Sequence, residues 1–504
     1  MPRQIASMRP RGRLRLGEVW LAVPALLVLG MAWSSPNEPV DFWMHVNSGA
    51  WMAEHRSFVT QDRLTFTIFG QPVLNQSWLA QLLMYLLAAV GGYPLAQAVL
   101  GALYGVTAAI MTRLAYRMSG SVHIAVGLAA AGALLMHNNL GIRPQVFATL
   151  LFIAELGLLL RHEGRCRHVW AIAIIEVVWV NTHGSFLLGV ALPSLFFCGR
   201  AVERLIVAEG TFRQRISGLT KTPTLRYFGM GVVVAAIAMF ANPTFSDVIL
   251  YVLGVTRTVS AYEVTEWIPT WKSQTGIYFG LSVGLCIAVM VLSRRRPSGV
   301  DIALLLAFSL LGITSQRMVI WWAIVMPLVL VPYVVDTVER FRKRNERVDP
   351  PRYLNTVFLA LLIGFVVMCS PWLRARNPLL TAKKKATRID DAPYDAVVYL
   401  HENRFKGRLF IAIHHAAYVS WVLGADVKVF ADARLDFFPN RIWDEYFEVH
   451  EGRKRALEIL DRYHVDAVIA DRRSASALMT QLVRSRNWTK VYSDDAFVVF
   501  SRKP

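Results

Sequence analysis

The sequence predicts a polytopic α-helical membrane protein, with about 11–13 transmembrane helices followed by a C-terminal extracytoplasmic α/β domain. Three observations carry this prediction: the composition, a series of apolar runs near bilayer length, and a rise in polarity near residue 375. Of 504 residues, 55% are hydrophobic and only 18% charged, at a mean hydropathy of +0.39. A soluble domain carries roughly 25% charge, so much of this chain must face lipid.

The first apolar run, Glu18 to Ser34, follows the basic stretch Arg9 to Arg15. No small-residue cleavage pattern ends it, so it reads as a retained anchor rather than a signal peptide. Further runs lie near 76–92, 94–112, 121–137, 143–160, 168–182, 184–207, 225–243, 276–293, 299–315, 319–336 and 353–372. Roughly 20 apolar residues cross a bilayer core. Trp78 to Val90 is shorter than that and is expected to lie partly in the membrane rather than to cross it.

Basic residues gather at Arg161 to His168, Arg200 to Arg226, Arg294 to Arg296 and Arg340 to Arg352, which places those loops in the cytoplasm. The +19 formal charge is therefore a topology signal at a membrane face, and no nucleic-acid partner is expected. One further span after Arg352 brings the tail outside, and the first loop, about 35–76, is outside as well. The organisation is a transmembrane domain over 1–374 and a soluble α/β domain over 375–504. Cys166, Cys198, Cys286 and Cys369 lack the paired spacing of zinc ligands or a disulfide framework and read as packing residues.

In the tail, helical patterns at Tyr394 to Asn403, Ile442 to Tyr463 and Ser474 to Arg486 alternate with strands at Arg408 to Ile413, Lys428 to Ala431 and Val465 to Ala470. Val491 to Ser501 adds strand material around a turn at Asp494 and Asp495.

The first external loop is the most unusual stretch. If residues 40–54 are helical, Asp41, His45 and Ser48 share one face, while Trp43, Val46 and Ala50 form another with tryptophan at headgroup level. Asp41 then points toward water or a cavity, or else simply caps the helix. Arg143, Asn181, His183, Gly184, Asn242, Glu266 and Arg317 stand at span ends assigned to the same external side. Ionisable groups at that depth are costly and mark a site by default, and carboxylates with arginines suit a phosphate-containing ligand. Structural alternatives stand beside each: Asn242-Pro243 as a helix stop, His183-Gly184 as a packing turn, Arg317 as a snorkelling side chain. In the tail, Asp432-x-Arg434 at a strand end reads first as a structural ion pair, with Asp436 close behind.

Several motifs resemble bacterial relatives of the GT-C glycosyltransferases, the superfamily of protein mannosyltransferases and aminoarabinose transferases. They are Asp41-Phe42-Trp43-Met44-His45 with Gly49-Ala50-Trp51, Asp62-Arg63-Leu64-Thr65-Phe66-Thr67, Gln76-Ser77-Trp78-Leu79, Trp179 to Ser185, Glu266-Trp267-Ile268-Pro269 and Phe430 to Arg434. The resemblance implies hexosyl or pentosyl transfer from a polyprenyl-phosphate donor to an extracytoplasmic glycan, lipid or protein, at a bacterial inner membrane. It implies Asp41 as catalytic base and an inverted product, with Arg143 and Arg317 on the phosphate and His45, His183 and Glu266 completing the binding set. The loop lacks an Asp-x-Asp or adjacent Asp-Glu pair. A divalent Mg²⁺, Mn²⁺ or Ca²⁺ ion could be held only by Asp41 with Glu38 or Glu266, and no spacing establishes it. Two other function classes compete: a transporter or lipid flippase, for which Glu155 and Glu176 within apolar runs are the features to examine, and a non-catalytic scaffold of a glycan assembly system.

Overall fold

The apolar runs fold as helices in the computed structural model, which describes residues 16–35, 40–161, 167–209, 211–220, 222–260, 267–341, 352–385 and 392–503. In chain order they are α1 (Leu16–Trp33), α2 (Val40–His55), α3 (Trp78–Ser119), α4 (Val122–Met136), α5 (Gln145–Leu160), α6 (Arg167–Val180) and α7 (Leu187–Val207). Then come α8 (Phe212–Thr220), α9 (Pro223–Ala238), α10 (Asp247–Ser260), α11 (Gln274–Leu292), α12 (Gly299–Thr314), α13 (Val319–Phe341) and α14 (Arg352–Met368). Among the described residues, four helices are long and apolar enough to cross a membrane: Trp78–Ser119, Gly184–Val207, Gln274–Leu292 and Gln316–Phe341. Shorter apolar helices surround them. The bundle centres on α13, whose residues from Val319 to Val331 are all buried.

The runs at 76–92 and 94–112 are two helical arms of α3, divided at a kink as expected. Gly91 and Gly92 leave helical geometry just before Pro94, and Gly92 takes φ +65°. The arm before the kink, at 1.5 Å per residue, is about 20 Å long, shorter than a hydrocarbon core of about 30 Å. Cys286 and Cys369 are buried as expected, Cys198 lies exposed on α7, and Cys166 falls outside the described residues.

The tail continues with α15 (Ala382–Lys385), α16 (Tyr394–Glu402), α17 (Ile413–Leu423), α18 (Asn440–His450), α19 (Ala456–Arg462) and α20 (Ser476–Arg484). Its strands are β1 (Gly407–Phe410), β2 (Val427–Val429), β3 (Ala467–Asp471), β4 (Trp488–Ser493) and β5 (Phe497–Arg502), in the order β2-β1-β3-β5-β4. The first three are parallel; β5 and β4 are antiparallel, joined through the turn at Asp494 and Asp495. The expected single helix from Ile442 to Tyr463 is two. Gly452 takes φ +63° between them, and a Cβ there would strike the backbone of Leu478, so only glycine fits the break. Four helices had no sequence expectation, α8, α10, α15 and α17.

The first loop belongs to the tail as much as to the bundle. Thr65 bridges Val429 in parallel, Val429 N–H donates to the Leu64 carbonyl at 3.1 Å and Phe66 N–H to the Val429 carbonyl at 3.0 Å, so an isolated bridge ties the loop to the β2 edge. Ile68 and Phe66 enter the apolar layer of the tail beside Phe430 and Phe410. Asp62, fully buried, accepts from the Thr65 amide and hydroxyl and pairs with Arg434 at 2.5 Å; Arg434 also pairs with buried Asp432 at 2.6 Å. The Asp432-Arg434 pair is therefore structural, and its third member comes from the loop.

Between loop and tail lies α2. Gly49 meets the Gln81 carbonyl and Tyr85 of α3 so closely that no side chain fits. On the opposite side Asn47 donates to the Ala417 carbonyl at 2.9 Å, and Trp43 stacks on Trp421 with centroids 5.6 Å apart. Trp43 is thus a packing residue against α17 rather than a headgroup anchor. Such aromatic pairs contribute about 0.5–1.5 kcal/mol beyond burial.

Removing Arg434 leaves two buried carboxylates facing each other, which costs about 3–5 kcal/mol. Arg434→Met is expected to lower the melting temperature and to expose the 56–76 loop to protease. Melting and proteolysis identical to the wild type would show that the three charges do not hold loop and tail together.

Candidate active site

A cavity of about 650 Å³ opens where α2, three helix ends and the tail meet. Asp41, His45 and Ser48 face it from α2, as a helical period of 3.6 requires of positions four and three apart. Arg143, Pro144 and Gln145 line it from the start of α5, His183, Gly184 and Ser185 from the turn before α7, and Arg317 with Met318 from the turn before α13. Three helix N-termini thus converge on it. Their unpaired N–H groups and dipoles place positive potential there, with the two guanidinium groups adding full charges.

Asp41 Oδ2 stands 3.5 Å from Arg143 Nε. His45 Nδ1 lies 3.4 Å from the Gln81 side-chain amide, which in turn accepts from Asn75 at 2.8 Å. His183 Nδ1 accepts from the Ser185 backbone N–H at 3.1 Å, and in a neutral ring this leaves the proton on Nε2. The Ser185 hydroxyl ties the turn to Trp179 Nε1 at 3.1 Å. Arg317 lies over the Trp267 ring at 5.4 Å, so its charge is presented against an aromatic wall. Burial, reinforced by the guanidinium of Arg317, pushes the His183 ring down to about 3; burial also pushes His45 down to about 4, against the pull of Asp41. Both rings are neutral at physiological pH.

The tail closes the cavity with Ile413, His414 and the strand-end segment Ala433 to Phe437. Tyr251 of α10 donates to Asp436 Oδ2 at 2.6 Å across that boundary, and burial raises the Asp436 carboxyl above the ordinary range. Tyr251, His414 and Asp436 had no role in the sequence reading. Asp436 was visible only as a neighbour of Asp432-x-Arg434.

Two other expected positions have structural roles. Asn242 folds a turn after α9, its Oδ1 accepting from the Thr244 amide and hydroxyl at 2.9 Å. Asn181 accepts from Trp78 Nε1 at 2.6 Å and donates to the Ala241 carbonyl, pinning α3 to the end of α6. Glu38 and Glu266 lie outside the described residues. Among the described residues, no three His, Cys, Asp or Glu side chains converge as metal ligands. The carboxylate of Asp41 faces the Arg143 guanidinium.

The architecture matches solved membrane enzymes. The oligosaccharyltransferase of Archaeoglobus fulgidus in its apo form superposes at TM-score 0.57 with 12% identity, over 90% of this chain and 69% of that one. Archaeal oligosaccharyltransferase AglB from Archaeoglobus fulgidus, in complex with an inhibitory peptide and a dolichol-phosphate, superposes at 0.58 with 11% identity, over 97% and 74%. The chain shares the fold of these oligosaccharyltransferases. Arabinofuranosyltransferase AftD from Mycobacteria aligns at 0.49 and 14% identity over 96% of this chain and 41% of that one. No family model matches the sequence, and no curated protein does.

The neutral histidines give the cavity an acid limit. Unfolded histidine takes a proton near pH 6.5, whereas His45 and His183 resist protonation until about 4 and about 3. Their contribution to stability is complete above pH 6.5 and lost as pH falls from there toward those values. A melting series from pH 7.5 to 4.5 should show this loss, and a His183→Gln variant should show a shallower slope. An unchanged slope would contradict a neutral buried His183.

Proposed function

We propose that the protein is an inverting membrane glycosyltransferase, moving a hexosyl or pentosyl unit from a polyprenyl-phosphate carrier to a hydroxyl on an extracytoplasmic glycan, lipid or protein of the bacterial cell envelope. The observation that carries this is Asp41 beside Arg143 at the mouth of three helix N-termini. The neighbour bound to a dolichol-phosphate supports a lipid-phosphate donor for the shared fold.

In this reading the Asp41 carboxylate takes the proton of the acceptor hydroxyl as its oxygen attacks the anomeric carbon. The bond to the carrier phosphate breaks on the opposite face, which inverts that carbon. The leaving phosphate gains negative charge, and Arg143, Arg317 and the amide dipoles at the starts of α5, α7 and α13 stabilise it in place of water. The His183 Nε2–H donates to a phosphate or sugar oxygen without adding charge, and His45 with Gln81 orients the sugar. Glu266 is assigned to the same binding set by the motif it begins. The protein sits in the inner membrane with cytoplasmic basic loops, 11–13 spans and the tail outside, and the 1–374 and 375–504 segments divide anchoring from capping.

Purified protein in nanodiscs with polyprenyl-phosphate sugars and candidate acceptors tests the reading. Asp41→Asn should reduce transfer by about 10²–10⁴, the usual scale of lost general-base catalysis. Arg317→Met should reduce it while weakening binding of polyprenyl phosphate. Transfer by Asp41→Asn at the wild-type rate would remove Asp41 as base. A second reading, transport or flipping of the lipid-linked sugar, is favoured by buried Glu155 and Glu176; carrier movement across the bilayer with no transfer product would select it.

A further inference from the structure

Below the cavity, and taking no part in the chemistry above, two carboxyl groups meet inside the helical bundle. Glu155 of α5 and Glu176 of α6 are both fully buried. All four of their side-chain oxygens are shielded from solvent and make no hydrogen bond among the described residues. They converge on one point of α7: a Cβ built on Gly189 would collide with Glu176 Oε2 and stand 3.3 Å from Glu155 Oε2. A glycine is what leaves room for both.

We propose that Glu155 and Glu176 form a proton-binding site, in which the two carboxyl groups share a bound proton and the pair carries at most one negative charge. A lone ionised carboxylate in a low-dielectric interior lacks the water that stabilises it, and a second one facing it adds repulsion. Among the described residues no arginine, lysine or histidine pairs with either residue, and the Tyr227 hydroxyl of α9 lies within reach of the Glu155 carboxyl's field. A metal ion would need several more oxygen ligands than two carboxyls supply, and no third acidic, histidine or cysteine side chain joins them among the described residues. A proton needs only the two oxygens it bridges. The step balances simply: one proton enters from solvent and one carboxylate charge is cancelled.

The site has a mechanical connection to the cavity. Glu176 precedes the end of α6 at Val180 by just over one turn, about 6 Å, and the chain then runs through Trp179 and the His183–Ser185 turn into α7, where Gly189 sits. Loss of the proton sets two charges against each other between α5, α6 and α7, the elements that carry Arg143 and His183.

The test is infrared difference spectroscopy of the full chain in nanodiscs at neutral pH. The wild type should show the C=O stretch of a protonated, non-exchanging carboxyl group, and the Glu155→Gln/Glu176→Gln double variant should lack it. Glutamine matches a protonated carboxyl in shape, so the variant should fold; its melting temperature should be flat from neutral to alkaline pH, where the wild type's falls. Should the variant fail to fold, the wild type alone decides. A band independent of sodium supports the proton site. No carboxylic-acid band at neutral pH, a band retained in the double variant, or a band suppressed by sodium would overturn it.

Discussion

The buried contact of Arg434 with Asp62 and Asp432 is the constraint on which the arrangement depends. It joins residues 372 positions apart, in an interior where an unpaired charge is costly. Buried ion pairs contribute little net stability compared with apolar packing, but they reject wrong registers strongly, because a misplaced partner leaves a bare charge behind. Here the register being selected is that of the first loop on the β2 edge. One residue of slip at Thr65 would turn Phe66 and Ile68 out of the tail's apolar layer and separate Asp62 from Arg434. Loop, strand edge and ion network therefore fix one another.

That constraint reaches the cavity because the same loop leaves α2 at one end and enters α3 at the other. Gly49 lets α2 lie directly on α3, and Trp43 and Asn47 hold its other side against α17. Asp41 is thus placed by α3 and α17 on either side of its helix, and the tail acts as a wall of the cavity as well as a fixed cap. The cavity's charge is built with similar economy. Helix N-termini and two guanidinium groups make it anion-seeking, while His45 and His183, kept neutral by burial, donate and accept hydrogen bonds without adding to the repulsion among cations.

How much of this was legible in the sequence follows from the range of each interaction. Asp41, His45 and Ser48 on one face follow from helical periodicity, which a run of fifteen residues displays locally. Arg143, His183 and Arg317 follow from their place at ends of apolar runs on one side, since topology alone brings such ends to a common surface. What the sequence hid is tertiary. Trp43 resembles an interfacial anchor until Trp421 is set against it. The Asp432-Arg434 pair is visible locally, but its third member, Asp62, stands 372 positions away. Helix α10 alternates inward residues such as Val248 with strongly exposed Leu250 and Leu253, a pattern with no single apolar run, and with it Tyr251 escaped notice. The division of α3 was legible: Gly91, Gly92 and Pro94 separate the two expected runs at the point where helical geometry is lost.

The helix ends and the helix interiors of this bundle are used for opposite electrostatic purposes. At the ends, unsatisfied amides and arginines create a place for negative charge that comes and goes with a ligand. Within α5 and α6, one to three turns from those ends, Glu155 and Glu176 carry acidic groups that have no counter-charge among the described residues, and α5, α6 and α7 pack as they do when the pair is neutral, wholly or in part. A bundle stabilised by apolar contact alone would place leucine at both positions and alanine at Gly189. Retaining two carboxyls around a glycine forfeits that packing, and the cost falls on the helices that hold Arg143 and His183 in position.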